Sequence, residues 1–291
     1  MTVLAKRERK SRRSLGYIGL YLFTGLVVLT IALGADWPQI QRSFFKWDII
    51  RDMFPEVLTI GARNTLLYTA LAFGFGLFLA LVLALMRRSE FAPYRIAALV
   101  YIELFRSIPA LVTIILVGFG LPLAFGWSIP FGTAGKGMIG LGIVAAAYMA
   151  ETIRAGIEAV PRGQMEAARS LGMSYGRAMV TVVIPQALRI VIPPLTNEFV
   201  LLLKDTSLLS VLGVTASNKE LLKFARDDAV ATFNSTPYVV AGLVYLAITV
   251  PLTFLARRLE SGGANRSSSA GPGRLRVLFR SLDPRGGSSD A

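Results

Sequence analysis

Three stretches of this sequence, residues 17–34, 64–86 and 237–256, contain no charged side chain. A helix needs about 20 such residues to cross the apolar core of a bilayer. Inside lipid a single segment can satisfy its own backbone only as a helix. Less pure runs at 96–121, 137–157 and 190–214 raise the expected number of spans to six. The expectation is therefore an all-α, polytopic membrane helix bundle. A cleaved secretory leader brings one apolar run rather than six, so 17–34 reads as a retained anchor.

Composition narrows the chemistry. The chain has no cysteine and no histidine. That excludes a disulfide, a thiolate nucleophile, a Cys/His metal site and a Ser-His-Asp triad. No G-x-x-x-x-G-K-[ST] phosphate loop is present, so ATP-driven work requires an ATPase on another chain. The net charge of +13 could point to nucleic acid, but its placement does not. With the N-terminus inside, the head, two inner loops and the tail hold 20 basic residues, among them Lys6, Arg88, Arg169 and Arg257, against eight in the outer segments. This asymmetry places both termini in the cytoplasm of a cell-membrane protein. It assigns the basic charge to topology, with lipid rather than nucleic acid as the surrounding partner.

Along the chain, residues 1–15 form a basic head without an apolar period, and 16–34 form the first span. Residues 35–55 are an outer loop whose Trp37, Phe44, Phe45 and Trp47 suit the headgroup level. Residues 215–236 are a second outer loop with a helical pattern at Leu221, Leu222, Phe224 and Ala225, read as plain solvated chain in preference to a docking surface. From 261 to 291 the sequence turns to Ser, Gly and Arg, a composition of a disordered tail. Ala72, Gly76, Ala80 and Ala84 recur at every fourth position, as do Gly142, Ala146 and Ala150. Small stripes of this kind let helices pack closely in lipid.

Ionisable residues within spans are costly, about 2.5–3.5 kcal/mol each at the centre on insertion scales, and each needs an account. Glu103 and Arg106 are three apart; Glu151, Arg154 and Glu158 are three and four apart, on one helix face. They read as intramembrane ion pairs clamping spans three and four, in preference to substrate contacts. Span five carries Asn197, Glu198, Lys204 and Asp205. Residues seven apart share a face, so Asn197 pairs with Lys204 and Glu198 with Asp205. Lys204 lies roughly 20 Å into the span, a little past the midplane. Interhelical pairing and the lining of a substrate pathway both account for this polarity; in the pathway reading, Lys204 or Asn197 faces the cavity.

Glu166–Ala167–Ala168, three residues, Gly172, nine residues, Val182, one residue, then Ile184–Pro185 resembles the EAA loop of ATP-binding-cassette importer permeases, E-A-A-x₃-G-x₉-I-x-L-P. Valine for isoleucine and isoleucine for leucine are the two departures. YIELFRSIPALV (101–112), AETIRAGIEAVPRGQMEAARSLGMS (150–174), IPQALRIVIPPLTNEFVLLLKDTSL (184–208) and the RRLE ending (257–260) look like the polar amino-acid branch of that family. The resemblance covers 54–260 and implies a type I importer permease core with a cytoplasmic coupling loop at 160–190. It further implies a separate ATPase that binds the ATP, a second permease subunit, an extracytoplasmic binding protein, an amino-acid substrate and no cofactor. Glu166, Ala167, Ala168, Gly172, Ile184 and Pro185 would carry the ATPase contact. From the residues themselves, Pro161 can begin a helix, Gly172 suits a left-handed C-terminal position and Ser174 can cap a second helix.

Two other classes compete. A secondary transporter driven by an ion gradient would use the intramembrane carboxylates but leaves the EAA spacing unexplained. A polytopic membrane enzyme needs a clustered nucleophile or metal site, and the remaining Asp, Glu, Ser and Lys show no such arrangement.

Overall fold

A computed structural model describes residues 2–126, 129–213 and 215–268, and they are helical almost throughout. Helix α1 (Thr2–Gly34) is followed by two short helices, α2 (Trp37–Phe44) and α3 (Trp47–Met53). The core then runs through α4 (Arg63–Arg87), α5 (Ala92–Ser107), α6 (Ala110–Ile115), α7 (Leu121–Phe125) and α8 (Gly132–Glu158). Next come α9 (Arg162–Ser170), α10 (Tyr175–Ala178), α11 (Ile184–Asp205), α12 (Leu221–Thr232) and α13 (Thr236–Ser268). Among the described residues four stretches, Val57–Arg87, Ala134–Glu158, Tyr175–Leu212 and Thr236–Arg258, are long and apolar enough to cross a membrane. Two bent pairs raise the number to as many as six, which accommodates the expected count.

The differences from the expected layout have local causes. The basic head is the first part of α1 rather than a separate segment, since Ala, Leu, Lys, Arg and Glu all favour helix. Span three is not one rod: Ala92–Ser107 and Ala110–Phe125 meet at 108°. Pro109 follows an extended Ile108, the conformation a residue before proline is pushed towards. Span five begins much earlier than residue 190, because the helical stretch runs from Tyr175 to Leu212 with Pro193 and Pro194 inside it. At 1.5 Å per residue its 38 residues reach roughly 57 Å, well beyond a core about 30 Å thick. The stretch therefore extends beyond the apolar core. α13 continues to Ser268; the rest of the expected tail, 269–291, lies outside the described residues.

The bundle is organised around α4 and α8, which pack along their small-residue stripes. Ala72, Gly76, Ala80 and Ala84 are all buried, as are Ala146 and Ala150. A Cβ on Gly76 would stand 3.0 Å from the carbonyl oxygen of Gly142, and one on Gly142 would stand 3.1 Å from that of Ala72. Only glycine lets the two backbones come this near. α11 packs on α8, α13 and α4.

A second core sits around the first half of α13. Ile49 and Met53 of α3, Val57, and Leu221, Phe224 and Ala225 of α12 are buried together with Val240, Ala241 and Val244. The 215–236 segment is therefore a packed helix and not plain solvated loop. Leu221, Phe224 and Ala225 recur at helical spacing, and α3 supplies the apolar surface that covers them. Trp37, Phe44, Phe45 and Trp47 stay exposed on the short helices beside it.

Candidate functional site: coupling loop and cleft

Between α8 and α11 the chain makes a helix–turn–helix. Pro161, extended, precedes α9. α9 ends in a left-handed Gly172 at φ +83°. The Gly172 N–H donates to Arg169 O at 3.0 Å and the Met173 N–H to Ala168 O at 3.2 Å. These two bonds form a Schellman turn, which stops the helix and satisfies its last carbonyls. Ser174 then caps α10, its hydroxyl accepting from the Arg177 N–H at 3.4 Å. The loop is tied to its own subunit by Gln186 Nε2 donating to Gln164 Oε1 at 3.2 Å and by Arg88 Nη2 donating to Tyr175 OH at 3.0 Å.

Glu166 and Ala167 are exposed on α9, while Ala168 is only 5% exposed. The three residues do not share one outward surface. Ala168 faces the chain itself, about 100° around the helix from Ala167, and its small size serves the fit of α9 to its own subunit. Ile184 is half-buried and Pro185 exposed in the first turn of α11. Leu171, at the loop tip, is exposed almost completely.

Inside the bundle a cleft of about 520 Å³ opens where span three breaks. Arg106, Ser107, Ile108, Pro109 and Ala110 form one wall, Leu141, Val144, Ala145 and Tyr148 of α8 a second, and Glu198, Leu201, Leu202 and Asp205 of α11 a third. Irregular backbone at membrane depth persists where protein or a polar cavity surrounds it. The cleft thus takes the Glu198/Asp205 face of α11. Asn197 and Lys204 are exposed and do not line it. The two faces are one residue apart, about 100° of rotation, and burial of Leu202 and Leu203 sets which one turns inward.

The ionic pairs are likewise only partly those expected. Arg154 Nε bonds Glu151 Oε2 at 2.9 Å and Arg154 Nη1 bonds Glu158 Oε2 at 2.6 Å, all within α8. Among the described residues Glu103 and Arg106 form no ion pair. Instead the Arg106 guanidinium lies 5.7 Å from the Tyr148 ring centre, and Tyr148 OH donates to Arg106 O at 3.5 Å. Ser107, Ile108 and Tyr148 are cleft residues that sequence reasoning missed. A proline interrupting an apolar run was the available signal.

A third polar centre, also missed, lies in the outer segment. Glu220 is completely buried and caps α12 by accepting from the Leu222 and Lys223 N–H groups at 2.7 and 2.6 Å; Tyr245 OH donates to it at 3.3 Å. Around it Asn64 Nδ2 donates to Ser217 O and Lys219 O, and Tyr68 OH to Asn218 O, clamping the 215–220 strap onto α4. Burial pushes the Glu220 carboxyl up from 4.5 to about 7, against the pull of its N–H and phenol donors. Between those values the folded clamp holds a proton that a solvated carboxyl has lost, so clamp stability falls as pH rises through that window. Hydrogen exchange of the α12 amides, corrected for intrinsic rates, is expected to be slower at pH 6 than at pH 8. Glu220→Gln should flatten that dependence. Equal protection at both pH values in the unaltered protein would contradict the assignment.

A bundle of helices long and apolar enough to cross a membrane, with a cleft where one of them breaks and a two-helix loop, fits the membrane subunit of a transport system. Residues 72–262 match the family of binding-protein-dependent transport system inner membrane components, and the chain belongs to that family. It is 37% identical over 204 residues to a probable glutamine ABC transporter permease protein of Bacillus subtilis, covering 69% of this chain and 92% of that protein. It is 34% identical over 201 residues to an arginine transport system permease protein of the same organism, covering 69% and 89%. A crystal structure of an amino acid ABC transporter with histidines superposes with a TM-score of 0.68 at 36% identity, covering 74% of this chain and 98% of that one. The methionine transporter MetNI, at 19% identity and a TM-score of 0.59, shares the fold. Membership sets aside the ion-gradient-driven transporter and the membrane enzyme. The chain is a permease subunit that couples to a separate ATPase.

Proposed function

We propose that this subunit carries an amino acid through the cleft beside α5, α8 and α11, driven by an ATPase docked on α9 and Gly172. The observation that carries the coupling role is the α9 turn: Glu166, Ala167 and Leu171 are presented outward on a frame fixed by the Schellman bonds. An exposed leucine beside a short side chain suits a protein surface that closes on the helix. ATP binding would draw two such loops together and turn the cavity outward; hydrolysis would reset it. A second permease, identical or paralogous, and an extracytoplasmic binding protein complete the assembly, as relatives in this family support. Both termini face the cytoplasm, supported by the charge asymmetry of the loops.

The cleft supplies Glu198 and Asp205 for an ammonium and Arg106 for a carboxylate. Once the two charges common to every amino acid are matched, one carboxylate remains. That surplus supports a substrate with a basic side chain. In proteoliposomes holding the complete complex, arginine or lysine is expected to compete for uptake at least tenfold better than glutamate, with Glu198→Gln losing that preference. Glutamate competing as well as arginine would overturn the charge assignment. For topology, a reporter fused after Leu259 should behave as cytoplasmic and one within 215–235 as external; the reverse pattern would remove the ATPase contact.

A further inference from the structure

A second cavity, of about 580 Å³, lies between the ends of α4 and α8 and the root of the coupling loop. Arg88 enters from the end of α4, Arg162 from the first turn of α9, and Tyr175 from the start of α10, while Met179 and Val183 form an apolar side. The one carboxylate in its wall, Glu158, is bound to Arg154 at 2.6 Å. Arg88 uses one donor on Tyr175 OH, and Arg162 has no hydrogen-bond or ion-pair partner among the described residues. A guanidinium carries five donors, so two arginines with most of their donors free converge on a cavity whose only anion is already paired.

We propose that this cavity binds the phosphate of an anionic glycerophospholipid from the inner leaflet, joining the end of α4 to the coupling loop through the lipid headgroup. The location favours a lipid over a free anion. α4 and α8 end there, which puts the arginines at headgroup depth, and the apolar wall gives the glycerol and first acyl carbons a surface to cover. Arginine forks match phosphate oxygens in pairs, and a tyrosine with an aromatic body and a polar tip suits the same layer. Bound this way, the lipid bridges a membrane-embedded helix and the segment that meets the ATPase, so the charge of the inner leaflet tunes coupling. The placement in the inner leaflet rests on the cytoplasmic orientation of the loop given above.

The test is lipid retention by the purified complex. Native mass spectrometry after exchange into mixed micelles would count bound phosphatidylglycerol against phosphatidylcholine of the same acyl chains. Phosphatidylglycerol is expected to be retained preferentially, with roughly fivefold weaker binding for each of Arg88→Gln and Arg162→Gln, the size of one basic residue's contribution beside an anionic surface. Arg88→Lys and Arg162→Lys should recover most of it, which separates charge from folding. Equal retention of the two lipids, or retention unchanged in the Gln variants, would overturn the proposal. Displacement by inorganic phosphate at matching concentration would mark a free-anion site instead. Loss of the ATPase from the Gln variants with phosphatidylglycerol still bound would assign the cavity to the ATPase interface. Preferential retention in a complex that takes up no amino acid would leave the lipid site standing and remove only the transport reading.

Discussion

Replacing Gly172 by leucine is expected to abolish transport while the subunit still inserts and folds. Gly172 sits at φ +83°, where a side chain costs roughly 1–2 kcal/mol. That strain alone is too small to unfold a domain whose stability is typically 5–15 kcal/mol. The larger effect is steric and external. Among the described residues, its two chain neighbours apart, nothing lies within 4 Å of a Cβ built on Gly172, so leucine would project from the loop into whatever docks there. Gly172→Asn, which tolerates left-handed backbone and is smaller, should keep a substantial part of the activity; Gly172→Ala, smaller still, should keep at least as much. The readouts are uptake in proteoliposomes and co-purification of the ATPase. Full uptake by the leucine variant would remove the docking role.

Gly142→Leu is expected to fail at an earlier stage, with little assembled subunit in the membrane. Its Cβ would lie 2.4 Å from Phe75 Cδ1 and 3.1 Å from the carbonyl oxygen of Ala72. The phenyl ring can turn aside, but the backbone oxygen moves only if α4 moves. Overpacking in a well-filled core commonly costs 1–3 kcal/mol, and separating two backbones belongs at or above the upper end. Because α4 and α8 form the main packing seam of the bundle, the cleft should be lost with it. Detergent-extracted protein should aggregate or melt many degrees lower. Gly142→Ala should be milder. Normal thermal stability for Gly142→Leu would show that the seam is looser than described.

The parts of this architecture that were legible from sequence are those set by local chemistry. Uncharged runs gave the spans, because lipid leaves a backbone no choice but helix. Gly172 and Ser174 announced the loop's stop and restart, because a left-handed position and a helix cap have few suitable residues. What escaped depended on tertiary contacts. The inward face of α11 was expected at Lys204 or Asn197, whereas the cleft takes Glu198 and Asp205; both faces are self-consistent in sequence, and only packing against α8 rotates the helix into place. Ala167 and Ala168 looked equivalent in the motif, yet one is exposed and the other buried by the chain's own fold. Glu220 stands in the segment read as solvated loop. It became a buried cap only once α3 and α13 closed over α12.

The central claim is that α9 meets an ATPase through the Glu166–Ala167 side, and the absence of cysteine from this chain makes it directly measurable. Ala167→Cys and Ala168→Cys each introduce a single thiol, one exposed and one buried, on adjacent residues. In the assembled complex, a short bifunctional thiol reagent is expected to join Ala167→Cys to single cysteines placed in the docking cleft of the ATPase, and to leave Ala168→Cys unlinked. Cross-linking through Ala168→Cys with Ala167→Cys silent, or no link to the ATPase from either position, would contradict the account.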